Sequence, residues 1–305
     1  MTSDAARGHD PTPSTLRQAQ DRPSSGQAVA VVTDSTSDLQ SGDGIDVVPL
    51  FVNFGDTRFR DRIDLSLDEF YRKLASLKVL PTTAQPTPAM FEDAYRPHAE
   101  VGRPIVCVTV TASLSGTNNA ANTAAKSFPN AEIHVLDSAT VAGGLALQAQ
   151  HARDIVRAGG DVQAVLTALA RDREVLRGFV TVPDLSHAVR TGRVSRTQAF
   201  IGSLVKIVPV LRIDSGKVQE HARVRTYARA LDTCVDAAAA EANKADGARI
   251  CVIHSHAADE AVRVVGKLRE KITTKTAAFE QLEAGPVLGT HAGQGAIGIF
   301  VIPGP

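Results

Sequence analysis

The sequence predicts an α/β protein of two domains, the first on a largely parallel sheet and the second on a mixed sheet. Three observations carry this. The chain has 305 residues, too long for one typical domain and enough for two that each bury a core. Its first half alternates unbroken apolar runs of strand length with segments of helical period, the pattern of a parallel sheet covered on both faces. Its second half sets strand-like runs closer together, two of them separated only by Asp214-Ser215-Gly216-Lys217, which is hairpin-turn chemistry.

Residues 1–27 are rich in Pro, Ser, Asp and Arg and are expected to form a disordered tail. Order is expected from residue 28. Strands are predicted at 28–33, 45–52, 105–111 and 133–136, and helices at 66–77, 88–99, 115–127 and 145–158, the last closed by Gly159-Gly160. Another helix at 162–171 completes a first domain spanning 28–172. The second domain, 173–303, carries predicted strands at 179–182, 207–213, 218–224, 250–254 and 296–302, with helices at 228–243 and 259–272 on one face.

Composition narrows the function. Hydrophobic residues make up 43% and charged residues 22%, and Lys plus Arg equals Asp plus Glu at 33 each. No global field steers this chain toward nucleic acid or an anionic membrane, so any anion site must be local. Cys107, Cys234 and Cys251 have no partner at metal-site spacing and are expected to be reduced thiols, which fits a cytoplasmic protein. No signal peptide and no membrane span is expected from the apolar runs.

Polar clusters follow or precede the predicted strands, where ligands of open α/β sheets bind. Thr33-Asp34-Ser35-Thr36-Ser37-Asp38 can cap a helix or face a ligand. In Ser113-Leu114-Ser115-Gly116-Thr117 the start of a helix offers free N–H groups, and Gly116 lets an anion approach the backbone; an ordinary cap by Ser115 is the competing explanation. Thr82-Thr83-Ala84-Gln85-Pro86-Thr87 reads locally as a helix start ahead of Pro88. Gly289-Thr290-His291-Ala292-Gly293-Gln294-Gly295 suggests tight backbone around an exposed imidazole, or a plain surface turn.

Together these clusters, in one order, resemble the DegV family over nearly the whole ordered length. The residues that carry the resemblance are TDSTSDL (33–39), TTAQPT (82–87), SLSGT (113–117), LDS (136–138), RTGRVS (190–195), KIVPVL (206–211), VRTYARAL (224–231) and GTHAGQG (289–295). The resemblance implies two α/β domains with a lipid tunnel between them, a long-chain fatty acid as ligand with no other cofactor or metal, and a fatty acid kinase catalytic subunit as partner. By position it implies that Thr83, Ser115 and His291, with Gly116 at the helix start, hold the ligand carboxylate. Arg193 and Arg225 match arginines at the head group, where phosphate and partner meet. Departures include Ala84 where the family commonly has Ser, and Ala292 and Gln294 in the histidine segment.

The chemistry is coherent. Two hydroxyls, a helix start and a histidine supply charge-assisted hydrogen bonds to a carboxylate. Lysine is absent from that set, and a full ion pair would hold the carboxylate too firmly for phosphorylation. About fifteen buried methylenes at ~0.8 kcal/mol each outweigh head-group bonds of ~1–3 kcal/mol. Phe51, Phe54 and Phe59 are candidates for the tunnel lining, with ordinary packing as the alternative. Two enzyme readings compete: a phosphotransferase subunit akin to the dihydroxyacetone kinase substrate domain with His291 as nucleophile, and a serine hydrolase. The sequence has neither a GxxxxGK[ST] loop for the first nor a GxSxG elbow for the second.

Overall fold

The computed structural model describes residues 28–76, 79–194 and 207–304. The expected tail at 1–27, Ser195 of the RTGRVS segment and Lys206 of KIVPVL lie outside them.

Along the chain, β1 (Ala30–Asp34) runs into a 3-10 turn at Ser35–Ser37, followed by β2 (Ile45–Val48), β3 (Phe51–Phe54), β4 (Thr57–Arg60) and α1 (Leu67–Ser76). Then come β5 (Thr82–Ala84), α2 (Pro88–Ala99), β6 (Ile105–Thr109), α3 (Thr117–Ala125), β7 (Ile133–Asp137), α4 (Gly143–Arg157) and α5 (Val162–Val175). The second half adds β8 (Arg177–Thr181), α6 (Ser186–Arg190), β9 (Val208–Asp214), β10 (Lys217–Val224) and α7 (Tyr227–Ala242). It closes with β11 (Gly247–His254), α8 (Ala258–Lys271), β12 (Thr276–Glu283), α9 (Pro286–Ala292) and β13 (Ile297–Pro303).

The first sheet has the order β2-β1-β6-β7, and all its pairs are parallel. Every residue of β1 and β6 is buried, which explains why these runs show no polar alternation. Val31, Val106 and Val108 pack with Leu145 and Val165 of α4 and α5 on one face, while Val32 and Cys107 pack with Phe91, Tyr95 and Ala121 of α2 and α3 on the other.

The predicted strand at 45–52 is in fact two strands in different sheets. Pro49 has no N–H to extend the ladder, so pairing with β1 stops at Val48 and β3 joins β4 and β5 in a small antiparallel sheet. The Leu50 N–H donates instead to Ser35 Oγ at 3.0 Å. Residues 82–84, expected to lead into a helix, are the edge strand β5 of that sheet, although α2 does begin at Pro88.

The second sheet has the order β10-β9-β8-β13-β11-β12, with β11 and β12 its one parallel pair. Ser215 and Gly216, at φ 50° and 76°, form the predicted two-residue turn between β9 and β10. Phe179, Val210, Ile250 and Ile299 face α7 and α8, while Val180, Leu211, Ile253 and Phe300 face the first half of the chain. The division expected at 172/173 falls inside α5, whose Val165 and Leu169 belong to the first core. All three cysteines are free and buried. Among the described residues, no helix is long and apolar enough to cross a membrane.

Candidate functional site

Between the two halves lies a cavity of about 660 Å³, within the usual size range of small-molecule sites. Its walls come from both: Leu50, Val110 and Leu114 on one side, Val180, Leu211 and Phe300 on the other. Among its described lining residues Arg193 is the one charged at all ordinary pH, and no carboxylate lines it. An apolar ligand with one polar or anionic end matches this wall.

The polar end gathers side chains far apart in sequence. Pairing of β5 with β3 sets Thr83 opposite Val52, and its Oγ1 lies 2.9 Å from His291 Nε2 on α9. The expected loop around His291 is therefore a helix through Ala292, and the imidazole is half-buried rather than exposed. Gly289 lets α9 press against α1, since a Cβ there would meet the Phe70 ring at 2.5 Å. Burial, with Arg193 and His187 nearby, lowers the His291 pKa to about 3, so the ring is neutral near pH 7. Its Nδ1 is buried without a partner among the described residues. An unpaired lone pair costs less than an unpaired N–H, so the proton belongs on Nε2. Thr83 then accepts from His291 and keeps its hydroxyl hydrogen for a ligand. Nε2 is tied to Thr83, and Nδ1, whose lone pair is unpaired, is buried out of reach of a ligand in the cavity, which disfavours His291 as a nucleophile.

Ser115 also lines the cavity. It stands just before α3, whose N-cap is Gly116, and its Oγ lies 2.8 Å from Thr117 Oγ1. Gly116 also leaves room for the Gln85 side chain, since a Cβ there would fall 2.0 Å from Gln85 Oε1 and displace the amide. Gln85, another lining residue, thus lies across the helix start.

The TDSTSDL segment is largely a brace rather than a ligand surface. Asp34 accepts from Thr36 N at 3.0 Å and from Val110 N at 2.7 Å, and of this segment Thr36 alone lines the cavity. Asp38 Oδ1 accepts from Gly285 N, and Asp61 Oδ1 from Val287 N at 3.2 Å, so two carboxyl groups hold the start of α9. Burial pushes Asp38 up to about 8 against the pull of Arg62, and pushes Asp61 up to about 6.

Five of the six sequence-derived site residues, Thr83, Ser115, Gly116, Arg193 and His291, line one cavity. Arg225 does not: it is exposed in the bend between β10 and α7. Arg193 Nη1 donates to Thr191 O at 2.7 Å, fixing the guanidinium beside His291. The phenylalanine candidates do not line the cavity. Phe54 and Phe59 meet edge to face at 6.0 Å, and Phe51 lies under Arg58. Gln85 stands inside the TTAQPT segment, but nothing in the local sequence signals its approach to the start of α3. Asp61 and Phe300 carry no local signal, because their partners are distant in sequence.

These features define an α/β binding protein with a largely apolar cavity whose hydrogen-bonding end carries a neutral imidazole and one guanidinium. The chain belongs to the DegV family, whose model, described as an uncharacterised protein of that family, matches residues 28–304. It is 32% identical over 276 residues to a DegV domain-containing protein of Halalkalibacterium halodurans, covering 89% of this chain and 97% of that one. A Thermus thermophilus DegV family protein, solved for its fatty acid binding, superposes with a TM-score of 0.82 at 29% identity, covering 91% of this chain and all of that one (100%). The fatty acid kinase B3 protein of Streptococcus pneumoniae, loaded with linoleic acid, shares the fold with a TM-score of 0.80 at 21% identity, covering 90% and 99%.

Proposed function

We propose that this protein encloses a long-chain fatty acid and presents its carboxylate to a fatty acid kinase for acyl-phosphate formation. The observation that carries the reading is an apolar cavity lined by the bonded pair Thr83 and His291 and also by Ser115. The hydroxyls of Thr83 and Ser115 donate to the carboxylate, and the neutral imidazole orients Thr83 from behind. A hydroxyl that accepts from an imidazole N–H becomes a stronger donor through hydrogen-bond cooperativity. Burial of the acyl chain supplies most of the affinity, at ~0.8 kcal/mol per methylene.

Arg193, at the same end, faces the extra charge that phosphorylation adds, and its planar fork suits a phosphate. Exposed Arg225 belongs to the encounter with the partner. The relatives described as binding fatty acids support the ligand class, and the fold shared with a fatty acid kinase B protein supports the partner. The test is reconstitution with a bacterial fatty acid kinase, ATP and Mg²⁺. Acyl-phosphate should form from the loaded protein only when the kinase is added. ATP turnover by this protein alone would overturn the carrier role.

A further inference from the structure

The cavity ends at one level across four strands. On β13 the residues facing it are Gly298 and Phe300, and Ile302, next on that face, is not part of the wall. The register makes the level explicit: Gly298 pairs with Val180 and Ile253, and Val180 with Leu211, and all four line the cavity. One row further on, Phe300 pairs with Gly178 and Cys251, and Gly178 with Ile213. Of that row Phe300 and Ile213 reach the cavity, as does Val218, the partner of Ile213 on β10.

Four glycines make room for the Phe300 ring. A Cβ at Gly178 would meet ring carbons at 2.6 and 2.7 Å, and one at Gly144 at 2.9 Å. Gly143 and Gly298 would each meet it at 3.0 Å. The ring therefore lies over the place where β8 has no side chain and against the start of α4. It covers two strands of the row by itself, and it is 1% exposed.

We propose that Phe300 is the floor of the cavity and sets the longest acyl chain the protein accepts. This rests on the fatty-acid reading above and deepens it. With the carboxylate fixed at Thr83 and Ser115, the methyl end advances along β13 toward Phe300. Each further methylene gains burial until the ring is reached, and the next one must displace a side chain locked between glycine backbones. In a close-packed interior that is costly.

The test uses delipidated protein and saturated straight-chain acids of increasing length. Affinity in the wild type should rise about fourfold per methylene and then break. Phe300→Ala should move the break to chains longer by roughly three methylenes. Val180→Phe, which fills the row above, should move it to shorter chains and remains informative if the alanine variant does not fold. A break at the wild-type length in a folded Phe300→Ala protein, or in Val180→Phe, overturns the assignment. The matching fatty alcohols, which need no carboxylate site, locate the floor separately. A break that moves with alcohols while no acid binds keeps the floor and overturns the head-group reading.

Discussion

Asp38 Oδ1 accepts a 2.6 Å hydrogen bond from the backbone N–H of Gly285, 247 residues further along the chain. Gly285 is the N-cap of α9, and His291 lies in the last turn of the same helix. Asp61 holds Val287, and Tyr71 donates to Ala284 O at 2.9 Å just before the helix. The first half of the chain thus fixes the helix that carries the imidazole of the site.

This brace makes stability depend on pH in a definite direction. Folded Asp38 keeps its proton up to about pH 8, and Asp61 to about 6, whereas the unfolded carboxyls lose theirs near 3.8. The stabilisation is complete below the unfolded value and is lost as pH rises through the folded values. Asp38→Asn, which keeps an acceptor for Gly285, should flatten the decline between pH 5 and 8 by up to about 1.4 kcal/mol per pH unit. Urea unfolding at several pH values measures it. Parallel curves for the two proteins would contradict the account.

His291 has the opposite sign. Its folded pKa of about 3 lies below the ordinary 6.5, so its contribution is present above 6.5 and lost as pH falls. Proton NMR of the ring should show no titration of His291 between pH 5 and 8 in the delipidated protein. A midpoint near 6.5 would show that the ring is not buried as described.

Thr83 and Ser115 should separate in their effects. Thr83→Ala removes the hydroxyl that pairs with His291 Nε2 and should lower stability by about 1 kcal/mol as well as weaken ligand binding. Thr83→Ser should restore both. Ser115→Ala, which removes only a local bond to Thr117 two residues away, should weaken binding by ~1–2 kcal/mol with a smaller loss of melting temperature than Thr83→Ala. Equal melting losses in the two alanine variants would remove the Thr83–His291 pair from the account.

Arg193 and Arg225 should divide likewise. With the kinase present, Arg193→Ala should slow acyl-phosphate formation even at saturating partner, since it lines the cavity. Arg225→Ala should raise the partner concentration needed and leave the saturated rate unchanged, since that side chain is exposed outside the cavity. Steady-state kinetics against kinase concentration distinguish the two, and identical profiles would refute the division.

Much of the fold was legible because its signals are local. The apolar runs of β1 and β6, proline at the start of α2 and the Ser215-Gly216 turn each act within a few residues. The break at Pro49 and the Gly55-Asp56 turn after β3 carried local signals too, but the apolar run on either side of Pro49 masked the change of sheet. β12 was missed because its mixed polar and apolar residues lie at a sheet edge. At the site, the resemblance supplied Thr83, Ser115 and His291, but no local pattern reveals a pair 208 residues apart. The same holds for Gly178, whose missing side chain gives Phe300 its place.

Native mass spectrometry of the purified protein tests the central claim most directly. The delipidated chain is offered a long-chain fatty acid and its methyl ester in equal amounts. The account predicts a one-to-one complex that strongly favours the acid, with the preference sharply reduced in the Thr83→Ala, Ser115→Ala double variant. No adduct, or equal retention of acid and ester by the wild type, would contradict it.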